Sequence, residues 1–129
     1  MIFLDTSAIY ALADKSDPNH ATAYEKFQNG LKSGETFLLH NYILMESVAL
    51  LQARLGLSSA TLFLRNAKSF KVEWIDRDSH EEAENELERI GKRGVSLVDC
   101  TSFVVMRRKG IKKVFAFDPD FSDQGFTIY

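Results

Sequence analysis

Short apolar runs alternate with longer stretches of helical periodicity, and this alternation constrains the chain more than any other feature. Residues 2–4, 37–39, 72–75 and 114–117 are mostly apolar runs of three or four residues. Runs this short, bounded by polar residues, read as buried strands. Between them, apolar residues recur at helical spacing: Ala8, Ile9, Ala11 and Leu12; Ala23, Tyr24, Phe27 and Leu31; Ala60, Phe63, Leu64, Ala67 and Phe70; Ala83, Leu87 and Ile90. Strands separated by helices predict a parallel sheet covered on both faces. The expected fold is α/β, a three-layer α/β/α sandwich in one domain over residues 1–129. Residues 126–129 should add a strand at a sheet edge. A length of 129 residues suits one core.

The element boundaries follow from capping and breaking residues. Asn19 is expected to cap a helix that Asn29-Gly30 and Gly34 break. Asn41 should cap a helix over residues 42–55, closed by Gly56, and Ser58 should start the next. Ser79 followed by Glu82 is a capping-box pattern. The helix it opens carries Glu81, Glu82, Glu84, Glu86 and Glu88, which read as a solvated face. Ser96 should cap a helix over residues 97–108, closed by Gly110.

Composition excludes several classes. With 16 Lys and Arg against 18 Asp and Glu, the net charge is -2, so no global basic excess announces a nucleic-acid binder. A local basic block remains in Arg107, Arg108, Lys109, Lys112 and Lys113. It reads either as a contact for a phosphate backbone or as a solvated helix end favoured by the helix dipole. Cys100 stands alone, which rules out an intramolecular disulfide and a cysteine metal cluster. A lone thiol fits a reducing cytosol, and a cytoplasmic location is expected. No apolar run approaches membrane-spanning length. His20, His40 and His80 are the only histidines, and none sits in a recognisable nucleophile–base setting.

Four acids stand where the local pattern is otherwise apolar. Asp5 ends the first strand, and Asp118 ends the fourth. In open α/β sheets ligands bind at the carboxyl ends of strands. Glu46 interrupts a helix that is apolar nearly all round, so it is expected to be buried unless it occupies an exposed stripe. Asp99 lies in the first turn of another apolar helix. Each also has a local reading: Asp5 or Thr6 as a helix cap, Asp99 as the partner of Ser96 in a capping box, Asp118 as a turn residue before Pro119. Asp120 shares that turn reading. Right-handed α/β topology puts strand ends and helix starts on one edge, so the four can converge. Converged carboxylates need protons or cations. All-oxygen ligands suit Mg²⁺ or Mn²⁺, with coordination positions left open for a substrate phosphate.

These residues resemble a known family. Leu4-Asp5-Thr6-Ser7-Ala8-Ile9, Asn41-Tyr42-Ile43-Leu44-Met45-Glu46, Ser96-Leu97-Val98-Asp99-Cys100-Thr101-Ser102-Phe103 and Ala116-Phe117-Asp118-Pro119-Asp120-Phe121 are similar, in order and spacing, to the motifs of PIN-domain nucleases. The chain most resembles the VapC-type toxin ribonucleases of prokaryotic toxin–antitoxin pairs. The resemblance implies a four- or five-stranded parallel sheet and Mg²⁺-dependent cleavage of RNA phosphodiesters, with Mn²⁺ as a possible substitute. It implies catalytic and metal-binding roles for Asp5, Glu46, Asp99 and Asp118, with a small hydroxyl residue at Thr6 or Ser7. It also implies a homodimer and a cognate antitoxin protein. Tyr10, Tyr24 and Phe27, on the helices near the N-terminus, read first as core packing and otherwise as a protein-facing surface. Pro119 departs from the basic or polar residue more usual after the fourth acid. Two other α/β classes fit less well. A haloacid-dehalogenase-type phosphotransferase needs a second Asp at position 7, which is Ser, and a receiver domain needs an acidic pair ending its first strand. A non-catalytic binding module whose acids are caps is the remaining alternative.

Overall fold

The chain's first strand becomes the middle of its sheet. The structure, a computed structural model, describes residues 1–129. In chain order the elements are β1 (Ile2–Leu4), α1 (Thr6–Ala13), α2 (His20–Lys32), β2 (Phe37–His40), α3 (Asn41–Leu55) and α4 (Leu57–Asn66). A 3₁₀ turn (Ala67–Ser69) leads to β3 (Lys71–Glu73), α5 (Arg77–Ile90), α6 (Leu97–Lys109), β4 (Lys113–Phe115), α7 (Asp120–Asp123) and β5 (Thr127–Ile128). All strand pairs are parallel, in the order β3-β2-β1-β4-β5.

That order sets the layers. The chain moves outward from β1 to β2 and β3, then crosses back to β4 and β5. Right-handed crossovers put the helices of these two excursions on opposite faces. Accordingly α1 packs on α2 and α3, and α3 on α4, while α5 packs on α6. The three-layer α/β/α sandwich expected from the alternation is the fold observed. Strand order reverses between β1 and β4, and in open α/β sheets the binding crevice lies at the carboxyl ends of such a pair.

Burial explains the composition of the central elements. Ile2, Phe3 and Leu4 are wholly buried, because β1 has a strand on each side and helices on both faces. Helix α6 buries every residue from 100 to 106, so its apolar residues show no face preference. Each fully buried Phe or Leu here contributes roughly 1.5–3 kcal/mol relative to exposure. The edge strands β3 and β5 are short and largely exposed.

Several boundaries differ from expectation, each for a tertiary reason. Helix α2 runs through Asn29-Gly30 to Lys32. Gly30 serves close packing there: a Cβ would sit 2.8 Å from the Phe37 ring and 2.9 Å from the Tyr129 hydroxyl. His40, not Asn41, caps α3, accepting from Ile43 N at 3.2 Å. Asn41 instead accepts from Ile75 N through Oδ1 at 2.7 Å, tying the turn to the end of β3. Helix α4 starts at Leu57, after Gly56 at a φ of 97° rather than at Ser58. Asp76 caps α5 by accepting from Ser79 N, so the Ser79–Glu82 pattern is not the cap. Ser79 Oγ accepts from Arg108 instead. The third strand stops at Glu73, leaving Trp74 exposed. The fourth strand covers Lys113–Phe115 and the last only Thr127–Ile128. The short helix α7 was not anticipated.

Candidate active site

Asp5 follows β1 directly and is 4% exposed. Its Oδ2 accepts from Ser7 N at 3.0 Å and from Ser7 Oγ at 2.6 Å. Ser7 Oγ in turn accepts from Phe117 N at 2.9 Å, stitching the end of β1 to the segment that follows β4. Of the two hydroxyl candidates, Ser7 is therefore the one tied to the first acid. Thr6 Oγ1 is buried without a hydrogen-bond partner.

Asp99 stands in the first turn of α6. Its Oδ2 accepts from Ser96 N at 3.0 Å, while Asp99 N donates to Ser96 Oγ at 3.1 Å. The capping box is real. Asp118 closes a tight turn by accepting from Asp120 N through Oδ1 at 2.9 Å. The cap-and-turn readings of Asp5, Asp99 and Asp118 are thus correct as local structure. They do not exhaust the side chains, because each uses one oxygen locally and its other oxygen accepts no hydrogen bond from the protein.

Two of these acids converge with a third, Asp120. Carboxylate oxygens of Asp99, Asp118 and Asp120 lie within 4.8 Å of one another. Asp5 is close enough to feel the charges of Asp99 and Asp118. Burial lifts the Asp5 carboxyl to about 6; its bonds from Ser7 pull down, and those two acids push further up. Asp99 is also raised, by burial first and then by the charges of Asp118 and Glu46. Asp120 is raised by burial and by Asp118, and Lys92 pulls the other way. Like charges at this spacing repel by roughly 3–4 kcal/mol per pair at an effective dielectric of 20. An all-carboxylate set with free oxygens and mutual repulsion fits a hard divalent cation.

Glu46 corrects one expectation. Helix α3 is not buried all round: only Ile43, Ser47 and Leu51 are fully covered, and Met45 and Glu46 share an exposed stripe. Glu46 lies outside the close group of Asp99, Asp118 and Asp120, yet near enough to raise Asp99.

The basic block lies away from this group. Arg107, Arg108 and Lys109 form the last turn of α6, ten residues past Asp99 at Lys109, or ~15 Å along the helix. They are paired: Arg107 with Glu86, Arg108 with Glu82, and Lys109 with Glu73. Lys113 approaches Glu35 at 3.8 Å, and Lys112 is exposed. The acidic face of α5 thus has partners and is not simply solvated. The cation near the acids is Lys92, in the loop before α6, which sequence reasoning did not single out.

A sequence model of the PIN domain family matches residues 2–126. The chain is 38% identical over 129 residues to the 23S rRNA-specific endonuclease VapC20 of Mycobacterium tuberculosis, covering 98% of this chain and 96% of that one. The crystal structure of that VapC20, a sarcin–ricin loop cleaving toxin, superposes with a TM-score of 0.86 at 37% identity, covering 98% of this chain and 97% of that one. The FitAcB structure from Neisseria gonorrhoeae shares the fold at a TM-score of 0.66 and 15% identity, covering 100% of this chain and 96% of that one. With the parallel sheet, the reversal of strand order at β1 and the acids gathered there, these matches lead to one conclusion: the chain belongs to the PIN-domain family.

Proposed function

We propose that this chain, acting as one nuclease domain over residues 1–129, is a VapC-type ribonuclease toxin that hydrolyses RNA phosphodiester bonds with a divalent metal ion, Mg²⁺ by preference. The observation that carries the reading is the convergence of the Asp99, Asp118 and Asp120 carboxylates at the point where strand order reverses, with Asp5 close enough to feel two of them. The relative's action on 23S rRNA makes the sarcin–ricin loop the first substrate to test.

In this reading Asp5 and Asp99 hold the ion, and Asp118 with Asp120 completes the set. When bound, the ion eases deprotonation of an attacking water and stabilises charge on the scissile phosphate. Glu46, exposed at the margin, orients that water. Ser7 keeps Asp5 in place by bonding it on one side and Phe117 N on the other. Lys92 offers a positive charge for the RNA backbone beside the acids.

The test is cleavage of a synthetic sarcin–ricin hairpin with Mg²⁺, with Mn²⁺ and with EDTA. Cleavage with either metal and none in EDTA supports the reading; undiminished cleavage in excess EDTA defeats it.

The partners follow from the same reading: a homodimer and a cognate antitoxin protein, in the cytoplasm. No helix is long and apolar enough to cross a membrane. Of the aromatic candidates, Tyr24 is exposed, whereas Phe27 packs on Phe37 and Phe70, and Tyr10 donates to Asp14 at 2.7 Å. Tyr24 borders an apolar groove of about 670 Å³ between α1, α2 and α4, lined also by Leu12, Leu31 and Leu62. That face suits a protein partner. Light scattering that finds only monomer at high concentration would remove the dimer.

A further inference from the structure

The largest buried polar side chain outside the acid group is His40, at the carboxyl end of β2. It is wholly buried against Phe3 and Tyr42, with ring centroids 5.8 Å away in both cases. Its two nitrogens face different elements. Nδ1 accepts from Ile43 N at 3.2 Å, in the first turn of α3. A nitrogen that accepts carries no proton, so the proton sits on Nε2, which donates to Ser102 Oγ at 2.9 Å. Ser102 Oγ donates onward to Val98 O at 3.1 Å. Every polar atom in this chain of bonds is satisfied in one sense only, so the ring has a single tautomer and a single orientation. Burial holds the imidazole neutral, pushing its pKa down to about 3.

The elements joined are those that carry two of the acids. Glu46 lies six residues past His40 on α3, and Asp99 lies one turn before Ser102 on α6. No other hydrogen bond links β2 or α3 to α6. The β1–β2 register pairs Phe3 with Leu38, and extending it two residues sets His40 level with Asp5.

We propose that His40 is a positioning residue that pins the start of α3 to α6 and thereby sets the distance between the Glu46 and Asp99 carboxylates. This rests on the reading of those two acids as site residues. A T-shaped contact with Tyr42 and the packing on Phe3 hold the ring in plane, so the pin is stiff as well as bonded.

His40→Asn separates the two bonds. Its amide oxygen can still cap α3, but the side chain is too short to reach Ser102. Ser102→Ala cuts the same link from the other side and leaves the cap intact. Two readouts are needed: calorimetric titration with Mn²⁺ alone, and cleavage of the sarcin–ricin hairpin. Each link variant should weaken Mn²⁺ binding or slow cleavage about 10-fold, at the lower end for groups that orient metal ligands. The loss should shrink to twofold or less in a Glu46→Gln background, because the pin acts through Glu46. A merely structural role predicts equal losses in both backgrounds and overturns the proposal. Wild-type behaviour of folded His40→Asn, with Glu46→Gln impaired, overturns it while sparing the site reading. Unimpaired Glu46→Gln defeats the site reading and the pin together. Should His40→Asn fail to fold, Ser102→Ala decides by the same cycle.

Discussion

The two ends of α6 carry opposite charges and treat them differently. At its C-terminal end Arg107, Arg108 and Lys109 each meet a glutamate, and Arg108 also meets Ser79. At its N-terminal end Asp99 faces Asp118 and Asp120 within 4.8 Å, with Asp5 and Glu46 adding repulsion and Lys92 acting on Asp120 in the opposite sense. The helix dipole favours both placements: acid at the start, base at the end. It therefore explains neither the pairing at one end nor the crowding at the other. Neutralised charge at the last turn is what folding alone produces. Crowded like charge at the first turn is kept against the cost of repulsion, which is what the proposed function requires of a metal-binding end.

The sharpest way to break this comparison is to remove one charge at each end. Asp99→Asn should lower hairpin cleavage ~10³-fold, the equivalent of about 4 kcal/mol of lost transition-state stabilisation. Arg108→Ala should leave cleavage within about twofold. A large activity loss in Arg108→Ala would mean that the basic end also contacts substrate.

The next effect is on stability against pH in metal-free protein. The Asp5 carboxyl titrates near 6 when folded and near its ordinary 3.8 when unfolded. Between those values the folded protein holds a proton that the unfolded chain has released. The stabilising contribution of Asp5 is complete below pH ~4 and is lost as pH rises through ~6. Two pKa units correspond to ~3 kcal/mol, read as the difference between wild type and Asp5→Asn in EDTA. If denaturant titrations show a difference that does not vary with pH, the burial argument for Asp5 is wrong.

Divalent metal should act in the opposite sense by favouring the ionised acids. At 100 times Kd, Mg²⁺ or Mn²⁺ should stabilise the fold by about 2.7 kcal/mol, seen as a raised melting temperature. Asp99→Asn should abolish that shift, and Arg108→Ala should keep it. A metal-induced shift that survives Asp99→Asn would place the ion elsewhere. The smallest effect is at the neutral end, where Arg108→Ala should cost about 1 kcal/mol or less, since its ion pair with Glu82 is about half exposed.

Element types were legible in the sequence because periodicity is local. The runs at 2–4 and 37–39 and the capping box at Ser96–Asp99 are read from neighbours within one turn, and they stand in the structure as expected. Which of the two readings of Glu46 holds, buried or on an exposed stripe, was not legible. An apolar helix with one glutamate exposes whichever side its neighbours leave uncovered, and how α1 and α4 pack against it is set by the assembled fold rather than by the helix's own residues. The same holds for Gly30, where a helix-breaking residue sits inside a helix because Phe37 and Tyr129 approach its backbone.

What the sequence determined by itself is the parallel α/β sandwich and the identity of the acids at the strand ends and helix starts, since strand length, helical spacing and capping chemistry are all short-range. Tertiary structure alone decided which of those acids meet, that Asp120 joins them, that Glu46 stays at the margin, that the basic block is paired and remote, and that His40 bonds Ser102. These are consequences of strand order and helix crossing. Asp5 and Asp118 are 113 residues apart in the chain but are brought to the same edge of the sheet, just past the ends of β1 and β4, because those strands pair. No local pattern encodes that pairing. It comes from burying β1 on both sides at once, which only the assembled fold can do.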